Sequence, residues 1–187
     1  MNKYYISPQQ LLADAYVLAT QVFESGFRPD YIIGVWRGGT PVAIAVHELL
    51  QVLGVESDHF AIRTQSYSGI GQRQDNILVD GLDYLDGRLA SGDAILLIDD
   101  VHDSGLSLQR VITQMRQLFA GQNPDIRTAT PYFKPANSRV QRAPDYFLHQ
   151  TDGWLVFPHE LKGLTLAEMR ANKPELAAAM SLLENHL

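Results

Sequence analysis

The chain has 187 residues, a hydrophobic content of 45%, a formal net charge of −6 at pH 7 and no cysteine. This length and composition predict one globular domain, and the lack of cysteine excludes disulfides and thiolate metal sites. The acidic balance argues against a nucleic-acid partner, which needs a basic surface. The sequence shows neither a signal peptide near Met1 nor an apolar run of about 20 residues, so we expect a cytoplasmic protein without a membrane partner.

The first strand of the predicted core is the apolar run of residues 31–36, which follows a predicted helix over residues 7–26. It leads into Arg37, Gly38 and Gly39, and a helix is predicted to begin at Pro41. The two glycines let backbone amides approach a ligand closely, and the guanidinium of Arg37 adds a fixed positive charge. This loop is therefore a candidate anion site, with a plain tight turn as the alternative.

A polar, glycine-containing segment of residues 65–75 lies between two predicted strands, over residues 58–64 and 76–79. Its composition is typical of a mobile loop. On local grounds alone, a solvated connection without a function is nearly as good an interpretation.

The most informative stretch begins with the four aliphatic residues 95–98, which predict a strand buried on both faces, as in a parallel sheet. The strand ends on Asp99 and Asp100, and after a short loop the apolar spacing becomes helical over residues 106–118. Free N–H groups at the start of that helix suit a phosphate. The acid pair suits hydroxyl groups, a metal ion or both, although acids at such a position also simply cap helices.

The remaining chain predicts strands over residues 127–134, 145–147 and 154–157, with a polar connector over residues 137–144. Pro131 argues against a regular central strand for the first of them, because proline cannot donate to a ladder. The tail beyond Thr165 has amphipathic pieces.

Residues 99–107 resemble the 5-phosphoribosyl 1-pyrophosphate (PRPP) signature of the type I phosphoribosyltransferases. The signature has two acids, two variable residues, an acid or small residue, and then Thr-Gly-x-Thr. Here Ser104 and Ser107 replace the threonines and keep both hydroxyls. The resemblance implies an α/β fold, a parallel PRPP-binding sheet flanked by helices. A single domain over residues 1–187 would have its core at about 28–135. A small hood would be formed by about 136–187 with the N-terminal segment.

The resemblance also implies residue roles in binding PRPP and in catalysis. The loop of residues 37–39 is similar to the family's pyrophosphate loop. Asp103 corresponds to the family's base near N7 of the purine, and Ser66 with Tyr67 to the catalytic loop that closes over PRPP. The implied PRPP-binding residues are Arg37, Gly38, Gly39, Asp99, Asp100, Asp103, Ser104, Gly105, Leu106 and Ser107.

The residues implied for the base and the metal come from the hypoxanthine-guanine and xanthine-guanine members of the family. There a lysine, here Lys134, donates to the purine O6. Trp154 would stack on the ring, and the main chain of Leu155 would contact the base edge. The implied ligands of the Mg²⁺ cofactor are Asp99, Asp100 and Glu160, the last replacing an Asp of the family.

Taken together, the resemblance implies a Mg²⁺-dependent purine phosphoribosyltransferase of purine salvage. It would convert PRPP and a 6-oxopurine (hypoxanthine, guanine or xanthine) into a nucleoside 5′-monophosphate and pyrophosphate, and we expect a homo-oligomer, a dimer or tetramer. A regulatory nucleotide-binding protein of the same fold and a transferase for another nucleobase remain alternatives. A receiver-like phosphorelay domain is disfavoured, because its acid pair should end the first strand, and that strand leads into Arg37.

Overall fold

The computed structural model describes residues 3–66 and 77–186. The chain divides into two compact units, a large unit of Leu12–Asp152 and a small unit of Met1–Leu11 with Gly153–Leu187. Within the described ranges, no helix combines the length and the apolar character that a membrane span requires. The predicted extents of core and hood stay predictions.

Nine strands and five α-helices are described. The strands are β1 (Lys3–Tyr5), β2 (Tyr31–Trp36), β3 (Asp58–Ser66), β4 (Ile77–Asp80), β5 (Ala94–Ile98), β6 (Val101–His102), β7 (Asp125–Phe133), β8 (Tyr146–Gln150) and β9 (Trp154–Val156). The helices are α1 (Pro8–Glu24), α2 (Gly39–Val52), α3 (Leu106–Leu118), α4 (Leu166–Asn172) and α5 (Met180–His186). Short 3₁₀ turns cover Leu82–Leu85, Pro135–Asn137 and Pro174–Ala179.

The large unit is built on a sheet of seven strands in the spatial order β4-β3-β2-β5-β7-β6, with β8 also paired to β7. All pairs are parallel except β3 with β4. Residues 95–98 of β5 have no exposed surface, because β5 lies between β2 and β7 and is covered on both faces. The predicted α/β fold with a parallel sheet is confirmed.

The core of the large unit includes one face of this sheet and the inner face of α3. Leu108, Val111, Ile112 and Met115 recur at helical spacing and are all buried with the side chains of β2 and β5. The helix matches the predicted residues 106–118 and begins at the edge of the sheet where β5 ends. The core thus fixes the position of the loop before α3.

Pro131 lies inside a central strand after all. The ladder from β7 to β5 ends at Ala129, and the ladder from β7 to β6 begins at Tyr132. Pro131 occupies the gap between the two partners, where no donor is missed. The expectation that Pro131 marks an irregular position was sound, but β7 remains central in the sheet.

Three features differ from the sequence-based expectations. Helix α2 begins at Gly39, although a start at Pro41 was expected. The two-residue strand β6 interrupts the loop between β5 and α3, where no strand was predicted. Strand β9 pairs in parallel with β1, itself not predicted, in a two-stranded sheet of the small unit.

In the small unit, Glu168 connects α4 to β1. Its carboxylate accepts from the Lys3 ammonium at 2.6 Å, from the Tyr5 hydroxyl at 3.2 Å and from the Thr165 N–H at 2.8 Å. Thr165 in turn accepts from the Glu168 N–H, which completes a capping box. The hydrogen bond from Lys3, followed by that from the Thr165 backbone, lowers the pKa of Glu168 to about 2.

We expect the contribution of Glu168 to stability to depend on pH. A carboxyl whose pKa is lowered on folding stabilises the protein above its unfolded pKa of about 4.3, and this contribution is lost as the pH falls toward 2. The melting temperature of Glu168→Gln should therefore lie below that of the wild type at pH 7, and the difference should be smaller at pH 2.5. Glu56→Gln, at an exposed glutamate of the large unit, is the control. A difference equal at pH 7 and pH 2.5 would contradict the assignment.

Candidate active site

Two loops lie next to each other at one edge of the large unit's sheet. Residues 37–39 follow β2, and residues 99–107 follow β5. The two strands are parallel neighbours whose register pairs Gly34 with Ile98, so both loops leave the sheet at its carboxyl edge. In open α/β folds, this edge is where ligands bind.

The loop of residues 37–39 packs directly onto the acid pair. A Cβ added to Gly38 would overlap the Asp100 carboxylate, and one added to Gly39 would overlap the Ile98 carbonyl and lie 2.8 Å from the Asp99 Cα. Only glycine permits this approach. The Arg37 side chain is exposed, and the peptide bond between Trp36 and Arg37 is cis. The structure therefore brings the predicted pyrophosphate loop and the predicted acid pair into contact.

Asp99 and Asp100 place two carboxylates at the end of the central strand. Asp100 is buried, and Asp99 is partly buried. The Asp99 backbone donates to the Ala129 carbonyl at 3.2 Å, while its carboxylate accepts from the Asp100 N–H at 3.0 Å. Burial, followed by the charge of Asp100, raises the pKa of Asp99 well above its usual range. Such a pair suits hydroxyl donors or a cation.

The residues predicted to bind a phosphate lie at the start of α3. Gly105 caps the 13-residue helix in the left-handed conformation, with φ of 73°. A Cβ there would overlap the ring of His102, which is 4% exposed beneath the loop. Within the described residues, neither ring nitrogen of His102 has a hydrogen-bond partner, and burial lowers its pKa. In the first turn the Leu106 N–H donates to the Ser104 Oγ at 3.4 Å. The helix dipole at this end favours an anion.

Asp103 makes two side-chain contacts with the segment that follows β7. The Lys134 ammonium, almost wholly buried, lies 3.2 Å from one carboxylate oxygen. The Asn137 amide nitrogen donates to the other at 2.9 Å. Lys134 and Asp103 were both predicted site residues, and the structure brings them together. The sequence analysis placed Asn137 in a polar connector and gave it no role. The one sequence signal for its proximity to Asp103 is its spacing of three residues from Lys134.

Three other predicted site residues belong to the small unit. Trp154 is exposed on β9, and its neighbour Leu155 is buried. Glu160 accepts from the Phe157 N–H at 3.1 Å. The roles implied for them in base and metal binding stay predictions. Of the predicted catalytic loop, Ser66 is the last residue of β3, and Tyr67 lies outside the described residues.

The acid pair has the donor chemistry that Mg²⁺ prefers, since carboxylate oxygens are hard ligands. Across residues 3–66 and 77–186, no three Asp, Glu, His or Cys side chains form a ready-made ligand cluster. Mg²⁺ sites commonly combine one or two carboxylates with substrate phosphate oxygens and water. Asp99 and Asp100 fit that pattern.

Comparisons with known proteins agree with this geometry. Residues 5–162 match the phosphoribosyl transferase domain family. A curated relative, the xanthine-guanine phosphoribosyltransferase of Cereibacter sphaeroides, is 27% identical over 165 residues, which cover 84% of this chain and 87% of the relative.

Two solved structures share the fold. The purine phosphoribosyltransferase of Pyrococcus horikoshii is 27% identical, with a TM-score of 0.69 and coverage of 88% of this chain and 99% of that one. The xanthine-guanine-hypoxanthine phosphoribosyltransferase of Helicobacter pylori has a TM-score of 0.68 at 21% identity, and the match covers 91% and 99% of the two chains.

We expect Gly39→Ala to destabilise the protein by about 1–3 kcal/mol, because the added methyl meets backbone atoms that cannot rotate away. Gly121→Ala is the matched control, since a Cβ there meets no atom within 4 Å. Urea denaturation of both variants and the wild type measures the difference. Equal stability of Gly39→Ala and Gly121→Ala would show that the contact with residues 98–99 is not tight.

Proposed function

Since the chain belongs to the phosphoribosyltransferase family, we propose that it transfers the 5-phosphoribosyl group of PRPP to a 6-oxopurine. The acceptor base is hypoxanthine, guanine or xanthine. The products are the nucleoside 5′-monophosphate and pyrophosphate, a reaction of purine salvage. The xanthine-guanine enzyme of Cereibacter sphaeroides supports this substrate class.

The observation that carries the proposal is the pair of Lys134 and Asp103, with 3.2 Å between the ammonium nitrogen and a carboxylate oxygen. An ammonium group only donates, and an ionised carboxylate only accepts. A 6-oxopurine protonated at N7 presents the reverse pattern, with the O6 acceptor next to the N7–H donor. Adenine presents an amino donor at C6 instead. The pair is therefore complementary to a 6-oxopurine.

The two neighbouring loops support PRPP as the other substrate. The first turn of α3 and the hydroxyls of Ser104 and Ser107 suit the 5′-phosphate. The acid pair accepts hydrogen bonds from the ribose hydroxyls. Arg37 and the amides around Gly38 suit the pyrophosphate, because a positive charge and free N–H groups attract it.

In the proposed reaction, purine N9 forms a bond to the anomeric carbon, and the bond to the pyrophosphate oxygen breaks with its electron pair. The base loses its N7 proton, which Asp103 accepts. Asp99 and Asp100 are the residues that would hold Mg²⁺ together with PRPP oxygens, and the chemistry that this ion supplies is neutralisation of the leaving group's charge. Positive charge develops on the ribose, next to these carboxylates.

We expect pyrophosphate release from Mg-PRPP with hypoxanthine, guanine or xanthine, and kcat/KM for adenine lower by about 10⁴-fold, since a site built around one hydrogen bond rejects a ligand that lacks it. Lys134→Ala should lose most of this preference. A pyrophosphate assay with the four bases measures both effects.

Lys162→Ala, at an exposed lysine, is the control and should keep the wild-type preference. A wild-type protein that releases no pyrophosphate with any base would contradict the proposed reaction. Adenine as the best substrate would contradict the role of Lys134.

We expect Asp103→Asn to lower kcat by about 10²–10⁴-fold, because the amide cannot accept the N7 proton. The KM for PRPP should change much less, since the loop shape is kept. Asp83→Asn, at an exposed aspartate of the same unit, should leave kcat unchanged. If kcat of Asp103→Asn stays within threefold of the wild type, the carboxylate does not act as the base.

A further inference from the structure

The short 3₁₀ turn after β7 presents two side chains to Asp103. Pro135 occupies its first position, where the ring fixes φ, and the Asn137 N–H donates to the Lys134 carbonyl at 3.2 Å. A 3₁₀ helix has three residues per turn, so side chains three apart lie above one another. Lys134 precedes this turn and Asn137 ends it, and both side chains contact the Asp103 carboxylate.

The two side chains divide the Asp103 carboxylate between them. Lys134 contacts Oδ2 at 3.2 Å, and the Asn137 amide nitrogen donates to Oδ1 at 2.9 Å. In the bond from Asn137, the Asp103 oxygen is the acceptor. A carboxylate that is to take up a proton must also be an acceptor. A fixed Oδ1 also fixes the rotation of the carboxylate and thus the direction of Oδ2.

The turn itself is attached to the loop on which Asp103 lies. The Lys134 N–H donates to the His102 carbonyl at 2.9 Å, and the Arg139 N–H donates to the Ser104 carbonyl at 2.9 Å. These bonds flank Asp103 on both sides in sequence. Asn137 is therefore held at a constant distance from Asp103, even though its own side chain is exposed.

We infer that Asn137 is a positioning residue that orients the Asp103 carboxylate toward N7 of the bound purine. This role rests on the proposed function, in which Lys134 turns to O6 when the base arrives. The Asp103 side chain is half exposed, so it needs another contact to keep its orientation once Lys134 has moved. Asn137 supplies that contact without competing for the base's O6.

The test compares steady-state kinetics of Asn137→Leu, Asn137→Gln and the wild type with PRPP and guanine. Asn137→Leu keeps the branched shape of the side chain but removes the donor, so kcat should fall roughly 10- to 100-fold, as for the loss of a hydrogen bond to a charged group. The KM for PRPP should stay within twofold, which a collapsed loop would not allow. Asn137→Gln keeps an amide donor and should retain more of kcat. Ala136→Ser, on the same turn, is the matched control and should match the wild type.

Combining Asn137→Leu with Asp103→Asn shows whether Asn137 acts through Asp103. In that background, the leucine should have no further effect on kcat, whereas independent effects would multiply. The inference is wrong if the effects of the two substitutions on kcat multiply, or if Asn137→Leu keeps the kcat of the wild type. In either case, an active wild-type protein still supports the proposed function. An inactive wild-type protein would overturn both.

Discussion

The contact between Gly38, Gly39 and residues 98–100 is the constraint on which the candidate site depends. Two polar loops that follow different strands are normally kept apart by their side chains. Here the absence of a Cβ lets one backbone rest on the other and on the Asp100 carboxylate. The parallel register of β2 with β5 brings both strand ends to the same level. A cationic loop and an acidic loop thus share one edge, close enough to contact a single ligand.

The two acidic positions of the second loop have opposite electrostatic surroundings. Asp99 lies beside a like charge and is desolvated, which favours its neutral form. Asp103, four residues on, lies beside the Lys134 ammonium and is half exposed. One short loop therefore combines a position that favours a cation or hydroxyl with one suited to accept a proton. The short strand β6 lies between them and continues along β7 in the same parallel alignment as β5.

The sequence predicted those parts of the fold whose signal is local. Strand β5 follows from four consecutive aliphatic residues, and α3 follows from apolar residues at helical spacing. The acid pair and the glycine loop were also found from the sequence, because each consists of residues next to one another in the chain. Strand β6, the pairing of β9 with β1 and the start of α2 at Gly39 depend on partners far along the chain or on packing. Asn137 was missed because its partner Asp103 lies 34 residues away, and only the folded backbone brings them together.

The ion pair of Lys134 with Asp103 makes ligand entry an exchange reaction. Each group already satisfies the other, so an incoming molecule gains only the difference between its own hydrogen bonds and the ion pair that it breaks. A molecule offering a single acceptor would free Lys134 but leave the carboxylate without its cation. A molecule with an acceptor and a donor side by side replaces both partners at once. The pair thus acts as an internal competitor that raises the threshold for every ligand unable to match both groups.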